Sequence, residues 1–224
     1  MNKTKLYFIR HGQSVGNANH VLLGHTDLPL SELGYHQAEV AAAAFADEKI
    51  DIIISSDLKR AYSTALAHAK LRGMTVIPDT DFREIFLGDW EAQGAAELRA
   101  NKDPLFENFC HRFGYFVTPN GEDIWSLGER IYRAAERVVA ENPGKNILIA
   151  AHAAAIRMFF AKLLGYGKDE VSTMLPFPTN ASFSVCEYDG SRFVPLEFSR
   201  DEHIIGELGI PSAHIVFDQS RVTP

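Results

Sequence analysis

Short runs of apolar residues recur along the chain, and most of them stop at polar or charged side chains. These runs have the composition of strands buried in a parallel sheet, and they comprise residues 6–9, 51–57, 75–78 and 146–151. The carboxyl ends of parallel strands lie along one edge of an open α/β sheet, so side chains that follow the runs are expected to meet there. The pattern therefore predicts a site at that edge.

Between the predicted strands, apolar residues recur at helical spacing. The predicted helices cover about residues 31–47, 58–73, 125–141 and 156–164. Ser31 should cap the first of them, and Asp189-Gly190 predicts a hairpin between strands at 182–188 and 192–198. The alternation predicts an α/β fold: a three-layer sandwich with a mostly parallel central sheet and helices on both faces.

Residues 91–121 interrupt this alternation. The segment is rich in aromatic residues and is broken by Pro104, Pro119 and Gly121. It could be a cap over a pocket or an ordinary piece of helical packing, and a long excursion within a domain often serves a site. We predict a single domain over residues 1–224 with a small cap insertion at about 91–123.

The composition is that of an ordinary globular protein, with 46% hydrophobic and 23% charged residues. A net charge of −7 gives no support for a nucleic-acid partner, which usually needs a basic face. The apolar run at 6–9 is too short for a signal peptide or a membrane span, so we expect a cytoplasmic protein that does not bind membranes. Cys110 and Cys186 match no metal or redox spacing and are expected to be buried free thiols. The sequence does not predict the oligomeric state.

Five side chains follow the predicted strands and could line a single crevice at the sheet edge. They are Arg10, His11, Arg60, Glu84 and His152. Arginines bind phosphoryl oxygens bidentately, an imidazole can attack phosphorus, and a carboxylic acid can protonate the departing oxygen. The set therefore indicates a ligand that carries a phosphoryl group.

Each of these residues also has a simpler interpretation when it is taken alone. His11 and His152 could be hydrogen-bonded loop residues, and Arg60 could form an ion pair with Asp57. Glu84 could pair with the neighbouring arginine or face water. Only the shared placement of all five groups favours a common site.

Two other kinds of site do not fit the sequence. His20, His25 and His36 lack the spacing of metal ligands, and no His-Glu-x-x-His motif occurs. No glycine-rich nucleotide loop of the Walker type is present either. We therefore predict a site without a metal ion or another cofactor.

Several motifs together resemble the histidine phosphatase superfamily, in its phosphoglycerate mutase-like branch. The matching segments are residues 10–14 (RHGQS) with Asn17, 26–31 (TDLPLS), Gly34 with Gln37-Ala38, 55–61 (SSDLKRA) with Thr64-Ala65, 83–91 (REIFLGDWE) and Gly121-Glu122. They are spread over about residues 5–188. The combination is far more specific than any one of the motifs.

The resemblance implies roles for individual residues. His11 would be a nucleophile that becomes a phosphohistidine, and Glu84 would be the acid that protonates the leaving alcohol and then the base that activates water. Arg10, Arg60 and His152 would neutralise the phosphoryl oxygens without a metal. The further predicted phosphate or substrate contacts are Gln13, Asn17 and Gly24.

The sequence departs from the family pattern at two places. Ala153 and Ala154 follow His152 where the family usually has glycines, and their methyl groups could narrow the pocket or move a backbone donor. Leu87, within the 83–91 segment, and Ala92, directly after it, replace the more usual phenylalanine and glycine, which we interpret as packing variations.

The resemblance leaves three functions open. A mutase must hold a bisphosphorylated intermediate, so its cap tends to carry extra basic residues, whereas the 91–123 segment is short and aromatic. We therefore predict a phosphatase for small phosphomonoesters, with a phosphoglycerate mutase-type transferase as the alternative. A catalytically silent module that binds a phosphate ligand is the third interpretation.

Overall fold

The computed structural model describes residues 3–209 and 215–217, and a seven-stranded sheet forms the centre of this part of the chain. The strands are β1 (Thr4–Arg10), β2 (Ile52–Ser55), β3 (Val76–Pro78), β4 (Asn146–Ala151), β5 (Phe183–Tyr188), β6 (Phe193–Arg200) and β7 (Ile215–Val216). Their order is β3-β2-β4-β1-β5-β6-β7. The first four strands in this order are parallel, while β5, β6 and β7 pair antiparallel at one side.

Helices connect and cover the strands. They are α1 (Val15–Ala18), α2 (Glu32–Ala44), α3 (Lys59–Arg72), α4 (Ala95–Ala100), α5 (Pro104–His111), α6 (Ile124–Glu141), α7 (Ala153–Leu163) and α8 (Lys168–Met174). Ser31 caps α2 as predicted, because its side chain accepts a hydrogen bond from the Gly34 N–H. Helix α7 begins at Ala153, three residues earlier than predicted, and so starts directly after His152.

Alternate residues of the central strands face opposite layers of the molecule. In β1, Leu6 and Phe8 join a core formed with α6 and α7, whereas Tyr7 and Ile9 join a second core formed with α2 and α3. A strand that is buried on both faces must be apolar throughout, which explains the continuous runs in the sequence. The predicted α/β class, with helices on both faces of the sheet, is confirmed.

The chain beyond β5 continues the sheet. The predicted hairpin forms at Asp189-Gly190, and β6 extends to Arg200, where the pattern had become uninformative. Strand β7 then pairs antiparallel with β6. The rest of the tail at 210–214 and 218–224 lies outside the described residues.

The 91–123 segment contains α4, α5 and a short 3-10 turn at Phe113–Tyr115. Aromatic rings hold it together, and those of Phe106, Phe109, Phe113 and Phe116 contact one another with centroids 5.1–6.1 Å apart. Both cysteines are free, but only Cys186 is buried. The expectation of burial is wrong for Cys110, which lies on the exposed side of α5.

Among the described residues, no helix is long and apolar enough to cross a membrane.

A buried histidine lies in the core beneath α3. His68 has no exposed surface, and neither of its ring nitrogens has a hydrogen-bond partner within residues 3–209 and 215–217. Its ring packs edge-on against Phe183 with centroids 5.7 Å apart. Burial, with a smaller contribution from Arg72, lowers the pKa of His68 to about 3. The folded protein therefore keeps this imidazole neutral in mild acid.

His68 should make the protein less stable as the pH falls. In the unfolded chain the His68 imidazole is protonated near pH 6.5, whereas in the folded chain it is protonated only near pH 3. The contribution of neutral His68 to the free energy of unfolding is therefore complete above pH 6.5 and is lost as the pH falls toward 3. Between about pH 7 and pH 5, wild type should lose about 2 kcal/mol more unfolding free energy than His68→Leu. Urea titrations at both pH values measure this difference, with His36→Leu on the exposed face of α2 as the control. Equal losses in wild type and His68→Leu would contradict the prediction.

Candidate active site

The adjacent parallel strands β1 and β4 bring two histidines together. His11 follows β1 and His152 follows β4, and both side chains are buried. The ring centroids are 5.2 Å apart, and the His11 backbone N–H continues the strand pairing by donating to the Ala151 carbonyl at 3.1 Å. The two imidazoles therefore lie side by side at the sheet edge, in a site that we call the pocket.

The backbone fixes the tautomer of His11. Its Nδ1 lies 2.7 Å from the Gly12 carbonyl oxygen, which can only accept, so Nδ1 carries the hydrogen. Burial, followed by the charges of Arg60 and Arg10, holds the pKa of His11 well below its ordinary value. The ring is thus neutral and Nε2 has a free lone pair, which is the state that a nucleophile requires.

His152 is oriented from the neighbouring strand. Its Nε2 lies 2.8 Å from the Ser56 hydroxyl oxygen, which itself accepts a hydrogen bond from the Leu58 N–H. The serine hydrogen can therefore point to Nε2, which leaves Nδ1 as the protonated nitrogen. That Nδ1 is buried without a hydrogen-bond partner in the described part of the chain. Burial and the charge of Arg60 lower the pKa of His152.

Two arginines bring positive charge to the same pocket. Arg10 Nη1 donates to the Pro178 carbonyl at 2.6 Å, and Arg60 donates to the carbonyls of Gly24 at 2.7 Å and Thr26 at 2.9 Å. Burial lowers the pKa of Arg10 to about 10. The carbonyls orient the guanidinium groups without neutralising them, and each Nε is buried without a partner among the described residues. An anion would complete this arrangement.

Glu84 reaches the pocket from the acid loop, which we define as residues 83–91. Its carboxylate is 7% exposed and accepts hydrogen bonds from the backbone N–H groups of Ile85, Ala154 and Ala155 at 2.9–3.1 Å. Burial raises the pKa of Glu84 although these N–H donors oppose the rise. A carboxyl group with a raised pKa is suited to donate a proton and later to accept one.

The alanines after His152 keep their backbone donors. Ala154 and Ala155 lie in the first turn of α7, and their N–H groups hold the Glu84 carboxylate. Ala154, one of the two alanines that stand where the family usually has glycines, thus keeps a backbone contact to Glu84. Ala92 is more than a packing variation, because its φ of 62° lies in the left-handed region that favours glycine.

The simpler interpretations of Arg60 and Glu84 are wrong in this structure. Asp57 forms its ion pair with Arg83, at 2.5 Å, and not with Arg60. Because Arg83 is engaged with Asp57, it does not pair with its neighbour Glu84. Both proposed site residues therefore point toward the pocket instead of the surface.

Arg130 on α6 fixes the backbone of the acid loop, and the sequence analysis missed it. Its guanidinium donates to the carbonyls of Asp81, Arg83 and Glu84 at 2.8–3.2 Å. The Glu122 carboxylate pairs with it at 2.8 Å. The sequence analysis noted the Gly121-Glu122 motif before α6, which contains the carboxylate partner of Arg130. The motif does not indicate the arginine, which lies two turns later in the helix.

The three further predicted contacts occupy different places. Gly24 lies at the site, because its carbonyl accepts from Arg60. Asn17 accepts from the Ser14 N–H at 3.1 Å and from the Asn180 side chain at 3.4 Å, which connects it to the pocket. Gln13 points elsewhere, since its Oε1 accepts a hydrogen bond from the Ser31 hydroxyl at 2.8 Å.

Three residues that the sequence analysis did not assign support the loop that carries His11. The Gly12 N–H donates to the Thr64 hydroxyl at 3.1 Å, and Asn180 donates to the His11 carbonyl at 2.9 Å. Gly12 also packs directly on Gly34, whose carbonyl oxygen would lie 2.3 Å from a Cβ at Gly12. Only glycine allows the two backbones to approach this closely.

No group of three or more His, Cys, Asp or Glu side chains in residues 3–209 and 215–217 is arranged to hold a metal ion. The groups at the sheet edge are instead two cationic guanidiniums, two neutral imidazoles and one carboxyl. The fold and this set of groups define an α/β protein with a pocket suited to a tetrahedral oxyanion.

Comparison with known proteins identifies the family. The model of the histidine phosphatase superfamily (branch 1) matches residues 6–201. The chain therefore belongs to the histidine phosphatase superfamily, and the resemblance seen in the sequence is confirmed.

Individual relatives include phosphatases and a mutase. Over 161 residues the chain is 27% identical to an adenosylcobalamin/alpha-ribazole phosphatase of Escherichia coli (strain K12), covering 72% of this chain and 79% of that protein. It is 30% identical to a probable phosphoglycerate mutase of Yersinia pestis (strain Pestoides F), covering 72% and 75% of the two chains. A mycobacterial glucosyl-3-phosphoglycerate phosphatase solved with VO3 superposes with a TM-score of 0.79 and 29% identity, covering 85% and 96%.

The His11 tautomer can be observed directly. In ¹⁵N-edited NMR spectra of the wild-type protein at about pH 6.5, where an ordinary histidine is half protonated, His11 should show a protonated Nδ1 and an unprotonated Nε2, because its pKa is well below the ordinary value. The spectrum of His11→Asn identifies the signals by their loss. A doubly protonated ring at pH 7 would contradict the proposed state.

Proposed function

We propose that the protein is a phosphatase that hydrolyses small phosphomonoesters through a phosphohistidine at His11, without a metal ion. The observation that carries this proposal is the free Nε2 of a neutral His11 beside two guanidiniums whose Nε atoms have no hydrogen-bond partner among the described residues. A phosphoryl group bound there would place its oxygens near Arg10, Arg60 and the Nδ1 of His152. These groups would stabilise the charge that is redistributed as phosphorus changes partners.

The first chemical step transfers the phosphoryl group to the protein. His11 Nε2 attacks phosphorus, a P–N bond forms, and the bond from phosphorus to the ester oxygen breaks. The departing oxygen takes the proton of Glu84, whose raised pKa favours the protonated acid before the step. The alcohol leaves and Glu84 remains as a carboxylate.

The second step releases phosphate. The Glu84 carboxylate removes a proton from a water molecule, whose oxygen attacks phosphorus as the P–N bond breaks. His11 recovers its lone pair, and inorganic phosphate departs. The N–H groups of Ile85, Ala154 and Ala155 stabilise the carboxylate between the two steps, so one side chain can serve in both directions.

The 91–123 segment favours hydrolysis over a mutase reaction. We propose that it covers the site, and its backbone is joined to the acid loop where Asp89 N–H donates to the Pro119 carbonyl at 3.0 Å. Its charged groups have local partners: Arg99 and Arg112 stack on the rings of Phe106 and Tyr115. The remaining basic residues, Lys102 and His111, are exposed, with His111 beside Glu107. This leaves few positive groups for the second phosphate of a bisphosphorylated intermediate.

His11→Ala should abolish turnover. The loss should be on the order of 10³-fold or more, because no other group replaces the nucleophile. Phosphate release from p-nitrophenyl phosphate with chelator present measures it, and His36→Ala on the surface is the control. Retained hydrolysis in His11→Ala would overturn the proposal, and wild type that binds phosphate without turnover would favour the silent module.

A mutase is the second candidate because several relatives carry the name of a probable phosphoglycerate mutase. The same assay with a monophosphoglycerate and its bisphosphate separates the two reactions: free phosphate supports the phosphatase, and the isomeric monophosphoglycerate supports the mutase.

Glu84→Gln should slow substrates according to their leaving groups. An alkyl phosphate needs a proton on its departing oxygen and should lose about 10²–10⁴-fold in rate, whereas p-nitrophenyl phosphate should lose much less in phosphoryl transfer. The wild-type rate with alkyl phosphates should fall as the pH rises through the raised pKa of Glu84, since the acid form is then lost, and this limb should vanish in the variant. Rapid-quench kinetics of both substrates test this. A uniform loss would remove Glu84 as the acid.

A further inference from the structure

One carboxylate outside the reacting groups gathers donors from two loops of the site. Glu91 Oε1 accepts from the backbone N–H groups of His25 at 2.7 Å and Leu87 at 3.0 Å. Its Oε2 accepts from the Thr26 N–H at 2.8 Å and from the Thr26 hydroxyl. Four donors thus converge on a side chain that is only half-buried.

The two loops that Glu91 joins have separate tasks. Residues 24–26 present the Gly24 and Thr26 carbonyls that hold the guanidinium of Arg60. Leu87 belongs to the acid loop and lies three residues after Glu84. Glu91 therefore connects residues 24–26, which hold Arg60, to the acid loop, which carries Glu84.

The contact between the loops is close enough to exclude a side chain at Gly24. A Cβ there would lie 2.1 Å from Glu91 Oε1 and 2.4 Å from the Ile85 carbonyl oxygen. Both are distances that a real Cβ does not reach, so the loops would have to separate. The hydrogen bonds of Glu91 thus hold residues 24–26 against the acid loop, and glycine at position 24 leaves room for this close approach.

The contact requires a charged carboxylate. All four partners are donors, and an amide at this position would turn an NH2 group toward some of them. Burial alone would raise the pKa of Glu91, but the hydrogen bonds from Thr26, Leu87 and His25 outweigh burial and hold that pKa below its ordinary value. The group is therefore ionised across the neutral pH range.

We infer that Glu91 is a positioning residue that fixes the position of Arg60 relative to Glu84. The geometry for oxyanion binding and the geometry for leaving-group protonation then both depend on this single side chain. This inference rests on the proposed function, since it names the support of the same site. Glu91 itself touches neither the phosphoryl group nor the leaving oxygen in this scheme. Its removal should disturb two functions that otherwise have different residues.

The test compares Glu91→Gln with wild type in vanadate binding and in rate. Vanadate affinity, measured by titration calorimetry, reports on the arginine side and requires no turnover. The ratio of rates for alkyl and aryl phosphates reports on the acid side. We expect vanadate to bind about tenfold or more weakly, and kcat/KM for alkyl phosphates to fall about 10–100-fold with a smaller loss for aryl phosphates.

Controls separate positioning from loss of folded protein. Unfolding of a fraction of the molecules would lower all rates equally and leave the vanadate Kd and the substrate ratio unchanged. Glu97→Gln, an exposed glutamate on α4, should behave as wild type. Gly24→Ala disrupts the same contact from residues 24–26 and should also weaken vanadate binding and change the ratio of rates. In the double variant with Glu91→Gln, the two effects should be less than additive.

The outcomes distinguish this inference from the proposed function. Wild-type vanadate affinity and an unchanged substrate ratio in Glu91→Gln would overturn the role of Glu91, whatever the wild-type activity. If wild type bound vanadate without turnover while Glu91→Gln bound it more weakly, the proposed function would fail and the role in seating Arg60 would stand. If Glu91→Gln did not fold, Gly24→Ala would supply the same two measurements.

Discussion

The parallel pairing of β1 with β4 is the constraint on which the rest of the site depends. Neighbouring parallel strands end at the same edge, so His11 and His152 become neighbours although they are far apart in the sequence. The same edge receives Ser56 from β2, which fixes the His152 ring. The ends of three neighbouring strands thus place His11, His152 and Ser56 next to one another at the centre of the pocket. Burial on both faces keeps these strands rigid.

Local charge matters more here than the charge of the whole molecule. The chain carries a net charge of −7, yet the pocket holds two guanidiniums that donate to backbone carbonyl oxygens. Burial, together with the charges of these arginines, holds the histidine pKa values down and keeps the imidazoles neutral. The same two guanidiniums that we propose as the anion site therefore act with burial to leave His11 with a free lone pair.

Much of the fold and the centre of the site could be predicted from the sequence. The apolar runs and the polar residues after them were sufficient to place Arg10, His11 and His152 at one edge, because strand order follows simple rules in α/β proteins. The pattern missed α1 and α8, which are too short for a helical period to emerge.

The supporting residues were harder to predict for a different reason. Arg130, Asn180 and Glu91 act through backbone carbonyls and N–H groups, whose positions depend on tertiary structure and not on a local pattern. Gln13 is a related case: its position in a motif suggested a ligand contact, whereas its amide oxygen accepts a hydrogen bond from Ser31.

The start of α7 has a consequence for how such a protein can change. His152 provides no side-chain cap there, and the first N–H groups of the helix are satisfied by Glu84. Buried ionisable groups in active sites commonly lower the stability of a protein, so that their substitution often makes the protein more stable. In this protein the Glu84 carboxylate also accepts hydrogen bonds from the start of a helix, so selection for a stable fold and selection for the catalytic role that we propose act on the same side chain.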